Sequence, residues 1–289
     1  MVSSANPDAQ RAGQHSVNAV LPPRADSELP HLGTYVREMA VSVERMYENA
    51  LDWAHLPHLH SSTFSAIELL AGDADGWRAR VWNAGPRAAT DSVIELRLDR
   101  TCRRWITRTS EGAQGGSEIW THCIPLADRR VVVVVDFFVP GVAAAARTRA
   151  GDAYAALYAR LYDEDERMMV RRQRELDTRA QLPPLPRAHA AVNLGPAAAL
   201  TALLPLDVTV GARRYRVMDA AGRLCAFALT CPHALGPLDD APIVAGHVTC
   251  PWHGYRFDVH TGRCADAGAT CHLPVLEVVT DVAGNALLV

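Results

Sequence analysis

Apolar positions between residues 35 and 178 recur with the periods of strands and helices. Two groups of apolar residues at helical spacing predict a helix over 44–55 and a longer one over 152–176. Pro57 is expected to end or kink the first of these helices just past Ala54. Runs rich in β-branched and aromatic residues, separated mostly by glycine-containing turns, predict an antiparallel meander of strands over 77–82, 92–98, 102–109, 118–124 and 130–139.

The predicted elements form two groups, which suits two domains in a chain of 289 residues. Polar, proline-bearing residues 1–32 predict a flexible N-terminal tail, and 33–180 a first domain of mixed strands and helices. A proline-rich stretch predicts an extended linker over 181–203. Short strands with glycine and aspartate turns predict a small all-β domain over 204–289.

Composition narrows the classes of function. The net charge of -3 gives no electrostatic basis for binding nucleic acid, and an apolar fraction of 49% supports packed cores. No apolar stretch reaches the roughly 18 residues of a membrane helix, and no signal-peptide pattern is visible, so a cytoplasmic location without membrane association is expected. An odd number of cysteines, 7, favours metal ligation with free thiols over a disulfide scaffold.

Two cysteine–histidine pairs in the second domain have the spacing of metal ligands. Cys231 and His233 form C-x-H, and Cys250 and His253 form C-x2-H after sixteen intervening residues. Two thiolates and two imidazoles suit either zinc or a [2Fe–2S] cluster. Zinc ligands are usually paired across two or more residues, which C-x-H does not fit, whereas a cluster with one iron on cysteines and the other on histidines does.

A second candidate site follows the first predicted helix. His55 and His60 are five residues apart and would diverge by well over 100° on an unbroken helix, but Pro57 between them allows both to turn towards one point. Two histidines and one carboxylate on one face are the ligands of ferrous iron in oxygenases. The acidic run at 162–167 is a source of that carboxylate.

Both segments resemble Rieske non-haem iron oxygenases. The second-domain sequences CPHALGPL and CPWHGYRFD resemble the two cluster-binding loops of Rieske proteins. The resemblance implies a Rieske [2Fe–2S] cluster on Cys231, His233, Cys250 and His253, and an α+β architecture in which a helix-grip, START-like catalytic domain precedes the Rieske domain. That order is the inverse of the usual one in the family.

For the first domain, the resemblance implies a mononuclear Fe(II) bound by His55, His60 and Asp165. Asp163 and Glu164 compete with Asp165 for the role of third ligand, since all three lie in the same acidic run. His58, between the two histidines, is interpreted as a supporting or surface residue.

Two further residues match positions that act beside the iron ligands in the family. Asp52 matches the carboxylate that joins a Rieske histidine to an iron-bound histidine, and its two oxygens suit that role. Asn49 matches a supporting position near the iron. Candidates for the wall of the substrate cavity are Trp77, Trp82, Trp105, Trp120, Phe137 and Phe138, and packing in the core is at least as good an interpretation of each.

The resemblance implies an oxidoreductase that uses dioxygen and electrons to hydroxylate, demethylate or desaturate a small, mostly apolar organic substrate. No nicotinamide or flavin fingerprint is apparent, so a separate ferredoxin or flavin reductase is expected. Family members form trimers in which electrons cross between subunits, so a homo-oligomer is expected, although the inverted domain order leaves a path within one chain open. The alternative function is a non-catalytic Rieske ferredoxin fused to a ligand-binding helix-grip domain.

Overall fold

The computed structural model describes residues 29–85, 88, 90–112, 115–181, 191–266 and 270–289. Most of the predicted tail, at 1–28, and the proline-rich centre of the predicted linker, at 182–190, lie outside these residues. In the part of the chain that is described, no helix is both long and apolar enough to cross a membrane.

The first domain is built on a seven-stranded antiparallel sheet. Its strands are β1 (His31–Met39), β2 (Phe64–Asp73), β3 (Gly76–Asn83), β4 (Asp91–Asp99), β5 (Arg104–Glu111), β6 (Glu118–Ala127) and β7 (Arg130–Phe138). They lie side by side in the order β1-β7-β6-β5-β4-β3-β2. The predicted meander is therefore confirmed, and β1, which precedes it in the sequence, pairs with its last strand, β7.

Two strands of this sheet were not predicted. β1 overlaps the predicted tail by two residues, and its backbone pairs with β7. Its polar and apolar residues do not alternate, so the sequence lacks the usual pattern of a half-buried strand. β2 is an edge strand with mostly exposed side chains, and its apolar residues do not alternate with polar ones, so the sequence lacks the pattern of a half-buried strand.

The first predicted helix is broken into three short pieces. The α-helix α1 (Val43–Leu51) begins at Ser42, whose side chain accepts a hydrogen bond from the Arg45 N–H at 3.3 Å. Asp52 ends α1, a 3₁₀ turn covers Trp53–His55, and the helix α2 (Leu56–Leu59) follows. The helix was expected to end or kink just past Ala54, but α1 already ends at Asp52. Pro57 lies in the first turn of α2, where its missing N–H costs nothing.

A single long helix packs across the sheet. The helix α3 (Arg147–Ala180) includes the predicted segment and adds residues at both ends. Gly151 lies where α3 crosses β1, and a Cβ atom at this position would stand 2.3 Å from the Leu32 carbonyl oxygen. A sheet with one long helix against it is the predicted helix-grip fold, and the α+β class is confirmed.

The crossing gives a stability prediction. Gly151→Ala should lower the free energy of unfolding by about 1–3 kcal/mol, because the methyl group forces α3 away from β1. Denaturant unfolding followed by circular dichroism measures the loss. Thr148→Ala, on the exposed side of the same helix, is the control and should leave stability nearly unchanged. A wild-type midpoint for Gly151→Ala would contradict the close approach.

The second domain consists of three small sheets. Its elements are β8 (Val192–Pro196), α4 (Ala197–Leu200), β9 (Leu206–Val210), β10 (Arg213–Ala220), β11 (Arg223–Ala228), β12 (Ile243–Val244), β13 (His247–Thr249), β14 (Arg256–Asp258), β15 (Val275–Leu276), β16 (Val278–Thr280) and β17 (Asn285–Leu288). The sheets have the orders β15-β11-β10-β9, β12-β13-β14 and β16-β17-β8. Since β8 pairs with β17, residues 192–196 belong to this domain and not to the predicted linker.

Candidate metal centres

Three buried side chains of the first domain converge on one point. Asp165 Oδ1 lies 3.1 Å from His60 Nε2 and 3.5 Å from His55 Nε2. One possible ligand atom from each residue lies within 4.8 Å of the others. Two imidazoles and one carboxylate in this arrangement fit the facial ligand set of ferrous iron, with the remaining positions left for other ligands.

The break in the first helix explains how two histidines five residues apart meet. His55 ends the 3₁₀ turn after Asp52, and His60 follows α2. The two rings are 5.1 Å apart between centroids and nearly perpendicular, at 73°. The two histidines therefore face one point, and Pro57 between them lies in the first turn of a helix.

Two of the three converging side chains have a hydrogen-bond partner, whereas the buried Nδ1 atom of His55 has none among the described residues. His60 Nδ1 lies 2.6 Å from Glu164 Oε2, and Asn49 Nδ2 donates to Asp165 Oδ1 at 2.9 Å. Such contacts fix the orientation of a ligand and the tautomer of an imidazole. Of the two competitors for the third position, Glu164 thus faces the back of His60, and Asp163 is exposed and pairs with Arg37.

The four predicted cluster ligands come together in the second domain. The rings of His233 and His253 are 4.6 Å apart, and a hydrogen bond joins the thiols of Cys231 and Cys250. That interaction lowers the pKa of the Cys250 thiol and raises the pKa of the Cys231 thiol, so of the two it favours Cys250 as the thiolate.

Two features of the structure fit a cluster at these residues. His253 Nδ1 is buried and has no hydrogen-bond partner among the described residues, which is costly unless the nitrogen has another role such as ligation. Gly236 leaves room beside the thiols, since a Cβ atom there would stand 2.9 Å from Cys250 Sγ. Both observations suit a metal group between the two loops.

Asp52 lies between the two sets of ligands. Its Oδ2 atom accepts a hydrogen bond from His253 Nε2 at 2.7 Å and lies 3.6 Å from His55 Nδ1. Burial raises the pKa of Asp52, but the interactions with His253 and His55 outweigh this effect and hold the pKa well below its usual range. The residue is therefore a carboxylate, able to accept from both imidazoles.

His58 does not join the converging ligands. Its ring packs against Gly254, where a Cβ atom would stand 2.3 Å from His58 Cε1. Burial lowers the pKa of His58, so its ring is neutral at pH 7. His58 is thus a contact between the domains, which its sequence context did not indicate.

A cavity of about 680 Å³ lies between the sheet and α3. Two neighbours of the converging ligands line it: Thr63, whose N–H donates to the His60 carbonyl oxygen, and Leu161, one helical turn before Asp165. The ligands His55, His60 and Asp165 are not themselves among its lining residues. Hydroxyl groups are prominent on the strands that line it, at Ser92, Thr107, Thr109 and Ser117.

Of the two interpretations left open for the six aromatic candidates, the structure contradicts the one that places them in the cavity wall. None of the six tryptophan and phenylalanine side chains lines this cavity. Trp77, Trp105 and Phe137 pack in the core of the first domain instead, and the Trp77 indole N–H donates to the Ala50 carbonyl oxygen at 2.9 Å. The aromatic residues of the wall are Phe64, Tyr154 and Tyr158.

Known proteins match the two domains separately. Residues 192–277 match the Rieske [2Fe–2S] domain family. The oxygenase component of dicamba O-demethylase from Stenotrophomonas maltophilia is 44% identical over 50 residues, which cover 17% of this chain and 14% of that protein. The match therefore spans a small part of the curated relative.

Two solved structures are similar to separate parts of the chain. A START superfamily protein from Mycobacterium smegmatis covers 48% of this chain and 99% of its own, with 17% identity and a TM-score of 0.40. A chain in the complex of reduced oxygenase and oxidised ferredoxin in carbazole 1,9a-dioxygenase covers 29% of this chain and 86% of its own, with 29% identity and a TM-score of 0.26.

The family match begins at residue 192, where β8 begins, and includes all four cysteine and histidine ligands. A Rieske domain implies a [2Fe–2S] cluster, and the predicted inversion of the domain order agrees with its position at the end of the chain. The protein therefore consists of an N-terminal helix-grip domain followed by a Rieske [2Fe–2S] domain.

Proposed function

We propose that this protein is a Rieske-type oxygenase that oxidises a small organic substrate with dioxygen and electrons from a separate ferredoxin or flavin reductase. The observation that carries the proposal is the convergence of His55, His60 and Asp165 beside a cavity. A Rieske domain alone would serve electron transfer, but a buried 2-His-1-carboxylate set next to a cavity is the arrangement of an oxygen-activating site.

When bound, the cluster would supply single electrons and the mononuclear iron would activate dioxygen. The protein residues do the rest. His55, His60 and Asp165 would hold the iron, Glu164 fixes the orientation of the His60 ring at 2.6 Å, and Asp52 lies 3.6 Å from His55 Nδ1. Asn49 keeps the Asp165 side chain in place by its hydrogen bond.

The cavity supports a substrate that is not purely hydrocarbon. Leu161, Tyr158 and Ile119 offer apolar contacts, and the threonine and serine hydroxyls of the strands offer hydrogen bonds. A ligand without polar atoms would displace water from these hydroxyls and leave them unpaired, at about 1–3 kcal/mol each. We therefore extend the expected substrate from mostly apolar to apolar with at least one hydrogen-bonding group. Hydroxylation, demethylation and desaturation would use the same ligands.

The iron and acid-labile sulfide content of the anaerobically purified chain tests the proposal. About three irons and two sulfides per chain are expected, from a [2Fe–2S] cluster and one further iron. About two of each, persisting after incubation with ferrous iron, would refute the oxygenase and support the alternative of an electron carrier fused to a ligand-binding domain. Colourless, sulfide-free protein with zinc would refute both.

A further inference from the structure

The two sets of metal ligands meet within one chain. Asp52 belongs to the first domain and His253 to the second, and their side chains are joined at 2.7 Å. The same carboxylate oxygen lies 3.6 Å from His55. One side chain therefore contacts a ligand of each set, without a residue from any other chain.

The contact is part of a larger interface between the domains. Arg171 pairs with Asp239 at 2.7 Å, and Arg172 Nη1 donates to the carbonyl oxygen of Ala234 at 3.1 Å, in the first cluster loop. Met168, also on α3, is buried in the core of the second domain. The last third of α3 thus packs against the Rieske domain.

The second cluster loop also packs closely against the first domain. Gly254, directly after His253, has a positive φ of +71° and packs against His58 so tightly that no larger residue fits. A side chain at this position would push the loop away from the first domain and separate His253 from Asp52. Contacts of both cluster loops with the first domain therefore hold His253 next to Asp52.

The two histidines of the cluster set differ in exposure. His253 is 8% exposed and faces Asp52, whereas His233 is exposed. One histidine is thus buried towards the first domain, and the other is open to an external protein.

We propose that each chain is a complete electron-transfer unit, in which the electron passes from the cluster to the mononuclear iron of the same chain across His253, Asp52 and His55. This inference rests on the proposed function. A cluster bound by the four cysteine and histidine ligands would supply one electron, and an iron bound by His55, His60 and Asp165 would accept it. The external reductase replaces it on the His233 side, and dioxygen is the final acceptor. Transfer between subunits, implied by the family resemblance, is not required.

Cross-linking across the interface tests the arrangement without relying on activity. Glu175 Oε2 and Thr230 Oγ1 are 3.4 Å apart across the interface. The double variant Glu175→Cys/Thr230→Cys, made in a Cys102→Ser background and treated with a short bismaleimide, should give a single cross-linked chain on a denaturing gel. Each single variant is a control. A cross-linked pair of chains, or no cross-link, would overturn the inference even if the oxygenase proposal held.

Mixed chains test the electron path. Chains with His55→Ala keep the cluster ligands, and chains with Cys250→Ser keep the iron ligands. When both are co-produced and reduced, the electron paramagnetic resonance signal of the cluster should persist after dioxygen is added, as in His55→Ala alone. Rapid loss of the signal would mean transfer between chains. If Cys250→Ser does not fold, the cross-link decides.

Discussion

Replacement of His55 with alanine is expected to remove the mononuclear iron and abolish oxygenation while the Rieske cluster remains. The side chain supplies one of three converging ligand atoms, and a site with two protein ligands holds ferrous iron poorly. The cluster ligands lie in the other domain and do not include His55. Iron analysis should fall from about three to about two per chain, with sulfide and the visible spectrum unchanged.

His58→Ala is the matched control for this change. His58 lies three residues further along the chain but packs against Gly254 rather than Asp165, so its loss should leave the iron content at the wild-type value. An iron content that is unaffected by His55→Ala, or a cluster spectrum that disappears with it, would contradict the assignment of two separate sites.

Replacement of Asp52 with asparagine should slow electron transfer by about 10–100-fold while both metal sites stay occupied. An amide of the same shape has one acceptor oxygen and a donor group, so it cannot accept from both imidazoles. The measurement is a single turnover: the cluster is reduced chemically, mixed with dioxygen and a turned-over substrate, and followed by the recovery of its visible absorbance.

Asp163→Asn controls for the loss of a carboxylate near the site. Asp163 is exposed and pairs with Arg37 at 2.6 Å, away from both sets of ligands, so the rate should not change. Equal rates for Asp52→Asn and the wild type would remove Asp52 from the path between the ligand sets.

The sequence was informative about ligands because metal coordination restricts both residue type and spacing. It could not choose among the three consecutive acidic residues at 163–165, which are chemically alike. On α3 successive side chains point about 100° apart, so each faces a different partner. Asp163 meets Arg37, Glu164 meets His60 Nδ1 and Asp165 meets the Nε2 atoms. The three residues differ in the direction of their side chains, which the sequence pattern does not specify.

The residues of the cavity wall and the contact between the domains could not be predicted from the sequence, for a related reason. Alternation along a strand predicts which side chains share a face, but it does not distinguish packing in a core from lining a space. The tryptophans fill the core because they are large and apolar, and the smaller threonine and serine side chains are left where the sheet stands away from α3. The contact between Asp52 and His253 spans 201 residues and depends on how the domains meet.

The length of α3 has a consequence of its own. At about 1.5 Å per residue, its 34 residues form a rod about 51 Å long. Tyr158 in the cavity wall, Asp165 in the ligand set and Arg172 against the first cluster loop follow one another at intervals of two turns. A ligand that tilts this rod at one end displaces the other, so filling the cavity and positioning the cluster domain are mechanically coupled events.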